Sequence, residues 1–207
     1  MEKSRIAALV DGIFAVAMTL LVLDLRLPEG ATLSGDSAVW RQLVGLTGRI
    51  SAYALSFIVL GMFWIGHHSL FHFVRRVSRE VLWVNLLFLL CITLVPFSTN
   101  LLSGHTHLQI PIVVYGINLL LIAGISLFQV IYLEHHPELT HDQLSPSWAA
   151  NMRRRILIPI IIVAASIAIS FCKPRLAMSA YWLVLIFHFL PGKHRRPPEV
   201  DESSASE

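Results

Sequence analysis

A single carboxylate interrupts the first long apolar run of this chain: Asp11, within RIAALVDGIFAVAMTLLVLDLRL at residues 5–27. An ionisable group inside an apolar helix is costly unless it is paired, and it marks either a structural lock or a path for charge. Its candidate partners are Trp64, His67 and His68 in a second apolar run and Asn85 in a third. An indole or imidazole N–H donating to Asp11 locks helices together; a series of acid and histidines passes protons. The histidines also admit a metal reading. His68 and His72 are four apart and share a helical face, His67 adjoins them, and His135 and His136 form a second pair. No carboxylate stands in register on the second run, and the other pair falls in a polar connection. The histidines therefore read as structural or interfacial, with acid sensing as a lesser role, and no metal or cofactor is expected. No nucleophile triad, phosphate loop or paired carboxylates occur in any apolar run, so no enzyme activity is expected.

The elements that carry these residues belong in a membrane. The chain is 55% hydrophobic and 14% charged, with a mean hydropathy of +0.66, where a soluble domain is about 25% charged. Apolar runs occupy residues 5–27, 50–73 (entered by an amphipathic turn from Trp40), 81–102 with Pro96 near the end, 110–133, 156–172 and 176–190. Six crossings predict an all-α transmembrane domain over residues 1–191 and a disordered cytoplasmic tail over 192–207. A polar connection is expected over residues 134–151. No cleaved signal is expected, because Asp11 interrupts the first run and no small-residue cleavage site follows Leu27. Cys91 and Cys172 lie in or beside apolar runs as packing residues.

Six crossings put both termini on one side, and the basic residues decide which. Lys3, Arg5, Arg75, Arg76, Arg79, Arg153, Arg154, Arg155, Lys193, Arg195 and Arg196 fall on the side of the termini. Arg26, Arg41, Arg49, Lys173 and Arg175 fall on the other. Both termini are therefore expected in the cytoplasm, with the chain in the cell membrane. Basic residues spread between apolar runs also argue against nucleic-acid binding.

At about 100° per residue, Arg5, Leu9, Gly12, Val16, Leu20, Leu23 and Leu27 share one face of the first helix, and Thr19 borders it. Asp11 points away from that face, near Ala15, Met18 and Val22. Periodicity alone reads such a stripe as facing lipid or a neighbouring helix.

The segment Arg5-x-x-x-Leu9-Val10-Asp11-Gly12 and the run after it resemble the first-helix signature of the transmembrane protein 175 family of potassium channels. Leu9 and Val10 stand where the family pattern has Phe and Ser. The segments WIGHHSLF from Trp64, WVNLLFLL from Trp83 and TLVPFST from Thr93 are similar to matching family segments, and a looser likeness runs from Arg155 to Pro191. The resemblance implies a homotetramer whose first helices line a central pore. Val16 takes the narrowest position, usually Ile or Leu in the family; Leu20 and Leu23 take the next apolar rings, and Thr19 a polar layer. Arg5, Asp11, Gly12, Trp64, His67, His68 and Asn85 form a helix-locking motif. Asp24, at the outer end, either draws cations into the mouth or is a solvated helix-end acid.

An apolar ring cannot replace an ion's hydration shell, so it gates by excluding water and selects by the cost of dehydration. The expected function is a moderately selective potassium channel that passes sodium more weakly. The alternative is a proton-coupled or proton-permeable transporter using Asp11 and the membrane histidines.

Overall fold

The computed structural model describes residues 3–27, 35–105, 108–140 and 145–189. The proposed tail at 192–207 lies outside them. Among the described residues the chain forms eight α-helices: α1 (Lys3–Leu20), α2 (Asp36–Gly45), α3 (Thr47–Phe73), α4 (Arg79–Thr93), α5 (Val95–Gly104), α6 (Gln109–His135), α7 (Pro146–Ser170) and α8 (Pro174–Phe189). Four stretches are long and apolar enough to cross a membrane: Lys3–Asp24, Thr47–Phe73, Arg79–Gly104 and Gln109–His135.

Three boundaries differ from the sequence expectation, each for a local reason. The first helix tightens into a 3-10 turn over Leu21–Asp24 instead of continuing to Leu27. The third run is not one helix but two, α4 and α5, divided at Leu94. Pro96 cannot donate to the carbonyl four residues back, so the ladder is broken there. A buried amide on α6 serves the break. In the orientation of Asn118 that satisfies both ends, Nδ2 donates to Cys91 O at 3.1 Å, and Oδ1 accepts from Ser98 Oγ at 3.2 Å and Val95 N at 3.3 Å. Finally, α7 begins ten residues before the apolar run. Ser145 Oγ accepts from Trp148 N at 3.2 Å, and Pro146 occupies the first turn, where no N–H is needed. The expected polar connection over residues 134–151 therefore gives its last third to a helix, and Arg153–Arg155 are helical.

The long helices alternate in direction. At one end Lys3 Nζ donates to His72 O at the close of α3, Val74 pairs with Thr140, and Arg153 bridges to Glu134 at the end of α6. Lys3, Arg5, Arg75, Arg76, Arg79 and Arg153–Arg155 all belong to this basic end. At the other end Arg49 Nη1 donates to Arg26 O, and Asn100 meets Asp24.

Inside, α6 packs on α7 and α5, and α3 closes the bundle against α5 and α8. Phe14, Leu55, Leu60, Phe88, Ile92, Ile112, Tyr115 and Tyr181 are fully buried. Three of the polar side chains in this core join its helices. Tyr115 Oη and Thr99 Oγ1 both meet Ser56 Oγ, at 3.1 and 2.8 Å, joining α3, α5 and α6. Tyr181 Oη donates to Ile112 O at 2.8 Å. That contact needs Gly116: a Cβ there would stand 2.5 Å from Tyr181 Oη and 2.8 Å from Ile167 Cδ1.

Candidate functional site

The first helix has two apolar stripes, about 120° apart round its axis, and the fold uses only one. Ile6, Val10, Phe14, Ala17 and Leu21 are buried against α3, α4 and α5. Phe14 meets Phe88 of α4 with ring centroids 6.0 Å apart. The second stripe is uncovered: Val16 is 57% exposed, Leu20 43% and Leu23 51%, and Leu9 and Gly12 share that face; Leu27, beyond the end of the helix, is no longer placed on it. A groove of about 360 Å³ runs along it, between Leu9, Gly12, Val16 and Leu20 on α1 and Thr93 at the end of α4. A Cβ built on Gly12 meets nothing within 4 Å, so packing inside the protomer does not require a glycine there. Thr19 is also exposed, and its hydroxyl donates back to Ala15 O and Val16 O, both at 2.9 Å.

Asp11 is not buried in the protomer, contrary to the expectation of a buried acid. It is exposed, and Trp64 Nε1 donates to its Oδ1 at 2.8 Å. A helix-facing acid at this position finds its donor on α3, but the pair sits at the surface of the single chain. His68 is exposed beside Trp64, with ring centroids 5.8 Å apart. His67 points the other way, into the core. Its Nε2 lies 2.8 Å from Asn85 Oδ1 on α4, and its ring stacks on Phe71 and Phe88. The residues read together as one lock thus divide into two contacts: an open one between α1 and α3, and a buried one between α3 and α4. Arg5 joins neither; it is exposed, without an ion pair among the described residues.

Asp24 is half-buried and accepts from Asn100 Nδ2 at 2.6 Å, which fastens the end of α1 to α5. Sequence reasoning passed over Asn100 and Asn118, although an amide at membrane depth needs a partner just as an acid does. His68, His72 and the His135–His136 pair gather no third metal-binding side chain among the described residues.

Residues 5–96 match the family described as endosomal/lysosomal potassium channel TMEM175. A potassium channel of Chryseobacterium sp. (strain P1-3) is 32% identical over 194 residues, which are 93% of this chain and 95% of that protein. The crystal structure of a lysosomal potassium-selective channel TMEM175 homologue from Chamaesiphon minutus superposes with a TM-score of 0.77. It is 25% identical and covers 90% of this chain and 96% of its own. The endosomal/lysosomal proton channel TMEM175 of Danio rerio is 27% identical over 198 residues, 92% of this chain but 36% of that longer protein.

Proposed function

This chain belongs to the TMEM175 family of ion channels, which are not enzymes, and from that premise we propose that it conducts potassium through a pore built from several copies of α1. The observation that carries the reading is the uncovered stripe. Four protomers in a ring, each turning Val16, Leu20 and Leu23 inward, bury it around one axis and leave a narrow apolar conduit. Gly12, with free space over its Cα, lets a neighbouring helix approach closely. Trp64 and Asp11 hold the back of α1 to α3, so the stripe keeps its aim. Thr19 adds a hydroxyl at the edge of the conduit. Asp24, tied to Asn100, leaves its second oxygen for the outer mouth.

Rings of apolar side chains select by dehydration cost, which is smaller for potassium than for sodium. Selectivity is therefore moderate, and sodium passes more weakly. With α4 and α5 counted as one broken crossing, and α7 and α8 as the last two, the protomer has six spans. The basic end then faces the cytoplasm of a cell membrane, with both termini. The test is ion flux through purified protein in liposomes under opposed potassium and sodium gradients. Equal flux of the two ions, or none, sinks the reading.

Two observations favour a second reading, proton permeation: the animal relatives are named proton channels, and Asp11 is exposed on the protomer. A proton relay through Asp11 predicts that acid-driven flux collapses in Asp11→Asn while the assembled protein persists. A potassium pore predicts that Asp11→Asn changes assembly before it changes ion preference.

A further inference from the structure

A cavity of about 110 Å³ lies between α3, α6, α7 and α8, away from the stripe on α1. Its inner wall is apolar, formed by Val59, Leu119, Ala123, Val163 and Val184. Its volume approaches that of the dry engineered cavity, roughly 150 Å³, that takes up benzene. Ile65 lines it and is 57% exposed, so the cavity opens sideways on the outer surface of the bundle.

Polar residues line it toward the basic end, Gln129 and Arg155 among them. Gln129 of α6 is 6% exposed, and its Nε2 is buried with no hydrogen-bond partner among the described residues. A buried donor without an acceptor costs about 1–3 kcal/mol, a cost that an acceptor entering beside it would remove. Arg155 of α7 also lines the cavity. Glu134 takes Arg153 in an ion pair and leaves Arg154 and Arg155 without a carboxylate among the described residues. Pro159, on the same wall, cannot donate to the Arg155 carbonyl, so α7 is loosened where the cavity meets it.

We propose that this cavity is a binding site for an anionic phospholipid, one acyl chain entering between α3 and α7 with Gln129 on an ester carbonyl and Arg155 on the phosphate. Gln129 lies six residues before the end of α6, about 9 Å below it, and so deeper than the Glu134–Arg153 ion pair, as an ester lies deeper than its phosphate. The charge fits as well, since basic pockets between membrane helices hold anionic headgroups.

The test purifies the protein from vesicles of equal phosphatidylglycerol and phosphatidylcholine with identical chains, and counts retained lipid by native mass spectrometry. Wild type should retain phosphatidylglycerol over phosphatidylcholine. Arg155→Gln and Gln129→Leu should each lower retention by about tenfold, the size of one lost hydrogen bond to a charged or ester oxygen. Arg75→Gln, elsewhere on the basic end, should leave it unchanged. Ala123→Phe fills the apolar wall and should abolish retention; if it aggregates on size exclusion, the two polar variants carry the test. Equal retention in all variants, equal retention of both lipids, or exclusive capture of single-chain dodecyl phosphate added in a parallel arm overturns the proposal. The readout needs no ion flux, so its failure leaves the channel reading untouched.

Discussion

Trp64 Nε1 donates to Asp11 Oδ1 at 2.8 Å and so joins α3 to α1 on a face that the single protomer leaves open. The bond fixes the rotation of α1 about its own axis. Asp11 lies opposite the gap between the two apolar stripes, so whatever holds Asp11 on α3 turns one stripe into the bundle and the other out.

Removing the donor should therefore loosen assembly more than folding. A hydrogen bond to a charged group contributes about 1.5–3 kcal/mol, at the low end where it is open to its surroundings. Trp64→Phe keeps the ring and loses the N–H. It should lower the fraction of oligomer in cross-linking while the helical signal by circular dichroism stays near wild type. Asp11→Asn keeps an acceptor oxygen and should be milder. Wild-type oligomer content in Trp64→Phe would remove this role from the pair.

The two stripes should answer differently to truncation. Phe14 is fully buried against Phe88. Phe14→Ala should cost about 3–5 kcal/mol of protomer stability through the cavity it leaves. Leu20 is 43% exposed in the protomer, and Leu20→Ala should cost about 1 kcal/mol or less there. Unfolding midpoints in detergent, measured on both variants, check the contrast; comparable losses would mean that the outward stripe is packed within the chain.

Val16 stands at the position proposed to be narrowest, with a side chain smaller than Leu or Ile. Val16→Leu should narrow the conduit, lowering current, raising the preference for potassium, or both. Bilayer recordings of conductance and reversal potential in mixed potassium and sodium read this directly. Identical values in variant and wild type would place the constriction elsewhere.

The break between α4 and α5 depends on an amide from another helix. Asn118→Leu leaves Val95 N without its side-chain partner and Cys91 O with the Leu94 N–H alone, and a buried unpaired group costs about 1–3 kcal/mol. The variant should unfold at lower temperature and exchange the amide of Val95 faster with deuterium. Gly116→Ala is a second probe of the same region. Its Cβ meets Tyr181 Oη at 2.5 Å, and overpacking of that kind costs about 1–3 kcal/mol. Wild-type stability in both variants would show that α5 and α8 shift without penalty.

Much of the fold was legible from residue order. Long runs without charge can satisfy their backbone in lipid only as helices, which placed the first, second and fourth spans within a few residues. The choice of Trp64 or a histidine as donor to Asp11 also followed from residue types, since an acid in such a run needs an N–H. The sharing of the lock was not legible. His67 and His68 are adjacent, and only the packing of α3 sends His67 to Asn85 and leaves His68 outside. The early start of α7 was written in Ser145-Pro146 but was masked by the arginines that follow.

The sequence by itself determined that this chain is helical and membrane-embedded, because composition and run length leave no other way to satisfy the backbone. It also determined that α1 has an acid on one side and grease on the rest. Only the tertiary structure decided which greasy side of α1 is core and which is open. Leu, Val and Phe suit a protein interior, a lipid surface and an apolar pore equally well, so hydropathy cannot rank them. The shape of α3, α4 and α5 can: they accept Ile6, Val10, Phe14 and Leu21, and leave Val16, Leu20 and Leu23 uncovered.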